Sequence, residues 1–221
     1  AAGVHNPDPF ASYTLRFKDG TGDATINLPA GVSTLGSGGI LVTADVGAND
    51  ITIADNSLTA GGTPADFLIL HNNPDGLVTI ASNLVDNAAG SVGLAKHGPG
   101  GMVILGANNA LSIYGNLTLG DSDSGAVVKM NGYNLRVGGL ATFAFNTGPS
   151  ENKIVNDSAT YATLTVVQDA TTDYDGMLGQ SIGGTAEEKN FGLVKAGPGT
   201  LQLRGNNSYT GSTTVLGGVL Q

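Results

Sequence analysis

The sequence predicts an all-β chain built as a β-solenoid, a stack of short parallel strands, and three observations point there. Short segments with an apolar residue at every second position recur from end to end, turn-forming residues separate them, and one stretch of the sequence occurs twice. The later copy, Gly192-Leu193-Val194-Lys195-Ala196-Gly197-Pro198-Gly199-Thr200-Leu201-Gln202-Leu203-Arg204-Gly205-Asn206-Asn207, aligns without a gap with Gly93-Leu94-Ala95-Lys96-His97-Gly98-Pro99-Gly100-Gly101-Met102-Val103-Ile104-Leu105-Gly106-Ala107-Asn108. The identical positions are Gly, Leu, Lys, Pro and Asn, residues that set turns and core contacts. An antiparallel sandwich accommodates short strands too, but it gives each strand its own neighbours and has no need of the same Gly-Pro-Gly turn twice. In a solenoid each coil meets the one before it, and like residues are expected to stack at like positions.

Taken in order, the predicted strands cover 14–17, 24–28, 50–53, 77–80, 117–119, 135–137, 163–166 and 201–203, each with one apolar side. Turns are predicted at 18–20, 36–39, 72–76, 120–125 and 217–218, where Gly, Asn, Asp and Ser cluster. Residues 185–190 supply one helical turn at most. The pairs Asn72-Asn73, Asn108-Asn109 and Asn206-Asn207 suit solenoid corners, because Asn tolerates the left-handed region and its amide can continue a ladder from coil to coil.

Composition fits the same reading. Glycine supplies 35 of the 221 residues, aromatics make up 5%, and Trp and Cys are absent. A globular core of this size draws on large aromatic anchors, whereas thin layers filled by Val, Ile and Leu do not need them. Eighteen acidic against nine basic residues leave a net charge of −9, the wrong sign for a phosphate-binding surface, so no nucleic-acid partner is expected. No apolar run is long enough for a membrane-spanning helix. No basic start followed by an apolar segment is present either, so any export signal is expected outside this stretch.

The pattern Leu193-x-Lys195-x-Gly197-x-Gly199-Thr200-Leu201-x-Leu203-x-Gly205-x-Asn207-x-Tyr209-Thr210-Gly211-x-Thr213-x-Val215-x-x-Gly218-x-Leu220 resembles the autotransporter-associated β-strand repeat, also called the passenger-associated transport repeat. The copy starting at Leu94 follows its first half and then departs, with Gly101 in the place of Thr and Asn109-Ala110-Leu111 opposite Ser208-Tyr209-Thr210. The resemblance implies a right-handed parallel β-helix on an exported or surface-attached bacterial protein, extracellular or at the cell surface. It also implies a structural role as stalk, spacer or fibre segment. With about 20 to 25 residues per coil, the chain would make about nine to eleven coils and a rod about 45 to 50 Å long. The whole of 1–221 is expected to be one solenoid segment with repeat-like motifs at 93–120 and 192–221. The last strand ends a repeat without a polar cap, which suggests continuation in a longer chain or cover by another subunit.

No constellation for chemistry is expected. The polysaccharide-hydrolase pattern of some β-helices needs Asp-Asp and Gly-His-Gly. This chain has only Asn6-Pro7-Asp8, Asn73-Pro74-Asp75 and Arg16-Phe17-Lys18, which read as two turns and a strand. His5, His71 and His97 lack partners at metal-ligand spacing and read as solvated loop residues. The acidic groups Asp19 with Asp23, Asp121 with Asp123, and Asp169, Asp173 and Asp175 follow no calcium-loop pattern and read as solvated turns. Gly179-Gln180-Ser181-Ile182-Gly183 has nucleophile-elbow spacing but neither a helix after the serine nor a later histidine. The expectation is therefore a non-enzyme with no catalytic, cofactor-binding or metal residue and no cofactor. End-to-end self-assembly into a filament is the first alternative, and a carbohydrate-active or glycan-binding surface the second.

Overall fold

The computed structural model describes residues 3–5, 11–62, 67–73, 75–99, 101–104, 108, 110–111, 114–143, 152–179 and 184–221. The chain climbs through β1 (Gly3–His5) and β2 (Ala11–Phe17), then β3 (Ala24–Asn27) and β4 (Val32–Val42). Next come β5 (Ile51–Ala54), β6 (Ser57–Ala60) and β7 (Phe67–His71), followed by β8 (Val78–Ile80), β9 (Asn83–Leu84) and β10 (Leu94–His97). Above them lie β11 (Gly101–Ile104) and β12 (Asn116–Leu119), then β13 (Val127–Lys129), β14 (Leu135–Val137) and β15 (Gly139–Thr142). The last coils hold β16 (Lys153–Val155), β17 (Ala162–Val167), β18 (Thr172–Tyr174), β19 (Met177–Leu178), the short helix α1 (Ala186–Lys189), β20 (Phe191–Ala196), β21 (Thr200–Leu203), β22 (Thr213–Val215) and β23 (Val219–Leu220).

Every strand pair among the described residues is parallel. The first sheet stacks β1, β3, β5, β8, β11, β13, β16 and β19. A second wall holds the first half of β4 with β6 and β9, and higher up β14, β17, β20 and β22. The third wall runs from β2 and the second half of β4 through β7, β10, β12 and β15, then continues as β18, β21 and β23. β18 lies against β15 through side chains: the Thr172 hydroxyl donates to the Leu140 carbonyl at 2.6 Å, and the Asp175 amide donates to Thr142 Oγ1 at 3.2 Å. This is the parallel β-solenoid that the strand pattern and the repeat predict.

Period-2 alternation explains the core. On the first sheet Ile51, Val78, Met102, Val128, Ile154 and Leu178 share one register position. Ile51, Val78, Val128, Ile154 and Leu178 are all buried, each contributing about 1.5–3 kcal/mol of burial. One residue along, Thr25, Thr52 and Thr79 form a partly exposed rank on the other face. β-branched side chains recur because they fit a pleated surface packed on one side.

Coil length meets the expected value of about 20 to 25 residues in part of the stack and exceeds it elsewhere: Leu94 pairs with Leu117 and Leu193 with Thr213, whereas Ile51 pairs with Val78 and Leu164 with Leu193. Coil-to-coil hydrogen bonds join residues 27 apart at Asp23 and Asp50, 29 apart at Asn134 and Thr163, and 22 apart at Lys195 and Gly217. Among the described residues the third wall counts nine strands and the first sheet eight. At about 4.8 Å per step that column is about 34 Å tall. The extra length sits in the corners, which carry side-chain ladders of their own. Asp23 Oδ1 accepts from the Asp50 amide at 2.9 Å, and Asp50 Oδ1 accepts from the Leu77 amide at 2.8 Å. Asn108 Oδ1 accepts from the Asn134 amide, and Asn134 Oδ1 from the Thr163 amide, both at 2.8 Å. The coil-bridging role expected of paired asparagines is thus present at Asn108, at Asn73 through its amide to Gly47 O, and at Asn207, which accepts from Leu178 N at 2.9 Å. Among the described asparagines left-handed backbone falls elsewhere, at Asn56 and Asn131, and Asn109 lies outside the described residues.

Two expectations are corrected. Residues 36–39 do not interrupt a strand but lie inside β4, an unbroken run of 11 residues that turns a corner. Its first half pairs with β6 and its second half with β7. The absence of a side chain at Gly39 lets Thr14 of the coil below come within contact there, and Ser37 braces the bend by donating to Tyr13 O at 2.7 Å while accepting from Gly39 N at 3.1 Å. His71 is not a solvated loop residue either: it closes β7, pairs in register with Val42 and is 1% exposed.

Candidate functional site

The feature that occurs twice in the sequence is the feature with distinctive chemistry. In Leu94-Ala95-Lys96 and Leu193-Val194-Lys195 the lysine lies two residues after the leucine, hence on the same, inward side of the strand. Lys96 pairs with Ile69 below and Leu119 above, and Lys195 with Val166 and Val215. Both lysines are fully buried. Each stem occupies a place in an apolar column, and each amine caps the turn that follows. Lys96 Nζ donates to His97 O and Gly98 O at 2.8 Å each. Lys195 Nζ donates to Ala196 O at 2.7 Å, Gly197 O at 3.0 Å and, one coil on, Gly217 O at 3.2 Å.

The glycines are dictated by the same crowding. Gly98 and Gly197 have φ of +80° and +76°, and a Cβ there would sit 2.3 Å from His71 O and 2.4 Å from Gln168 O of the coil below. The tight turn presents its carbonyls inward, and the lysine is the donor that satisfies them. Burial lowers the Lys96 amine to about 7, against an opposing pull from the Asp121 carboxylate one coil above. Lys195 is lowered by burial as well, with Asp169 opposing.

The two copies do not stack at like positions. The corner of the first copy joins the third wall to the first sheet, β10 to β11, whereas that of the second joins the second wall to the third, β20 to β21. The repeated unit is therefore a corner with its two flanking strands rather than a fixed phase of the coil.

Around the first corner, His97 is half-buried and its ring meets Phe143 edge-on at 5.7 Å across the intervening coil. Burial holds His97 below its ordinary value of 6.5, with Asp121 pulling upward and the Lys96 charge pushing further down. Asp121 itself sits low. Burial pushes it up, but hydrogen bonds from Asp123 N, Ser124 N and Ser124 Oγ, together with His97, outweigh that. These acids hold a turn. In the third acidic group Arg204 lies 3.3 Å from Asp173 and 3.9 Å from Asp175. Asp75 donates its amide to Asn73 Oδ1 at 3.2 Å, and Arg16 lies on β2. Asn6, Asp8, Pro74 and residues 180–183, including Ser181, lie outside the described residues. Among the described residues no group of three or more His, Asp or Glu side chains could hold a metal, and no helix is long and apolar enough to cross a membrane.

Comparison with known proteins places this corner. Residues 193–221 match the family model of the passenger-associated transport repeat. The chain is 30% identical over 215 residues to the adhesin BmaC autotransporter of Brucella suis biovar 1 (strain 1330), an alignment covering 90% of this chain and 6% of that protein. The chain thus spans a small fraction of the relative's length. No solved structure matches it.

Proposed function

We propose that this chain, whose residues 193–221 are a passenger-associated transport repeat, is a stalk or spacer segment of a much longer autotransporter-like surface protein. The observation that carries the reading is that the repeat is the top of a continuous stack: β20 and β21 pair directly onto β17 and β18. A matched repeat built into an uninterrupted solenoid, and similarity over nearly the full chain to a short part of an adhesin, fit a length-giving element. The role is mechanical. Each coil offers the next a strand edge and a row of corner acceptors, so folding can advance coil by coil outside the membrane and oppose backsliding.

Inserting residues 1–221 between an export signal and an autotransporter β-barrel tests this. Surface protease accessibility on intact cells, with a compact resistant core, is the expected result. Retention inside the cell, or complete digestion at the surface, would overturn it. A subunit of a self-assembling filament is the second reading, since parallel coils can stack across molecules as they do within one. Electron microscopy of concentrated protein separates the two, with dispersed single rods counting against assembly.

A further inference from the structure

The corner at Lys96 gathers more titratable groups than turn formation needs. Lys96 projects into the apolar column, His97 follows it, Asp121 sits on the turn above, and the Gly120 amide donates to Lys96 O at 2.9 Å, bringing that turn directly over the lysine. Buried His71 closes the strand below, with its carbonyl against Gly98, and Asp123 lies on the same turn as Asp121, donating its amide to Asp121 Oδ1 at 2.9 Å. His97 reaches past that turn to Phe143, so three successive coils meet at one point.

We propose that Lys96, His97 and Asp121 make the junction between these coils an acid-labile joint, closed when the amine is neutral and loosened when acid sets two cations against one carboxylate. A neutral amine keeps two N–H donors, enough for His97 O and Gly98 O, so closure does not require the charge. Below neutral pH the same amine carries a positive charge in an apolar column, and protonation of His97 adds a second beside it.

The direction follows from proton linkage. The unfolded chain holds the Lys96 proton to about pH 10.4, whereas the fold releases it near 7. The unfolded state therefore binds more protons across that window, and stability rises with pH through it. His97, lowered from 6.5, adds the same sign just below that value. Asp121, lowered from 3.8, contributes stability above that value that is lost as acid protonates it. Buried Tyr174, whose phenol burial pushes up, reverses the trend only above about pH 10. The joint is a property of the fold and does not depend on where the protein works.

Hydrogen exchange of the full chain from about pH 9 down to about pH 6, corrected for the intrinsic rate, reads opening at 94–98 and 116–124. Protection there is expected to fall about a hundredfold, two pH units' worth of one proton between about pH 9 and pH 7, and to level off below, while that of 51–54 holds. Lys96→Met, which keeps the stem and removes the charge, is expected to remove the fall between about pH 9 and pH 7 and leave only the His97 share below about pH 6.5, and an undiminished fall would overturn the proposal. Should that variant not fold, Asp121→Asn leaves the lysine and its acceptors in place and is expected to deepen the loss of protection at acid pH. An unchanged profile, or a Lys96 13Cε resonance in the native protein that titrates only above about pH 10, would count against the joint.

Discussion

At the scale of single residues, Gly197 and Gly31 separate two reasons for a glycine. Both have positive φ, +76° and +106°, but a Cβ at Gly31 meets nothing within 4 Å while one at Gly197 meets the Gln168 carbonyl at 2.4 Å. Gly31→Ala should cost only the backbone penalty, about 1 kcal/mol. Gly197→Ala should cost about 3 kcal/mol or more, because the coil below must move. The urea midpoints of the two variants give the comparison, and equal shifts would remove the packing argument. Asn156 is a second such residue. Fully buried, it accepts from Gly132 N at 2.7 Å and donates to Thr160 O at 2.7 Å and Asn190 O at 2.8 Å, tying three levels together. Asn156→Ala removes the partner of half-buried Gly132 N and Asn190 O and of exposed Thr160 O, and is expected to lower stability by about 1–3 kcal/mol. The lysines show what was legible at this scale. Their spacing two residues after a leucine already pointed inward, but a positive charge ordinarily argues for the surface. Only the turn carbonyls, invisible in sequence, explain why the spacing wins.

At the scale of elements, period-2 alternation located strands well where one side is apolar and the other polar. The segments 51–54, 78–80, 162–167 and 200–203 all carry an expected strand. It failed where a corner is made without leaving the strand, as in β4, because a glycine cluster reads as a turn whether or not the backbone pairing is lost. It was silent for two-residue strands such as β9 and β19, which exist only because a neighbouring coil supplies the partner. The short helix α1 behaves oppositely and is locally encoded. Thr185 Oγ1 accepts from Glu188 N, and the Glu188 carboxylate accepts from Thr185 N at 2.9 Å, a complete capping box on a helix of 4 residues. The Asn190 amide, donating to Ala159 O at 2.9 Å, fastens its end to the solenoid. Thr185→Ala should therefore lose about 1 kcal/mol of local protection at Glu188 while leaving the global melting temperature within a degree or two. Global destabilisation would mean that this excursion braces the coils rather than decorating them.

At the scale of the whole molecule, the parallel stack makes stability a nearest-neighbour quantity. Each coil pairs its strands only with those directly above and below, so the effect of a core substitution should depend on where in the column it falls. Val128 sits mid-column between Met102 and Ile154, whereas Leu201 lies on β21 with Thr172 below it and Leu220 above. Both are fully buried, and truncation to alanine costs about 1–5 kcal/mol at such sites, more for leucine than for valine. For Leu201→Ala, lost hydrogen-exchange protection is expected to stay within 172–221, because those coils can open without disturbing the ones beneath. Val128→Ala should instead weaken the coils on both sides and broaden or split the urea transition, since opening there uncouples the lower stack from the upper. Uniform loss of protection along the chain in both variants would mean that the solenoid unfolds as one cooperative body. Folding coil by coil would then lose its thermodynamic footing, because advance by one coil requires that a partial stack be stable before the rest has formed.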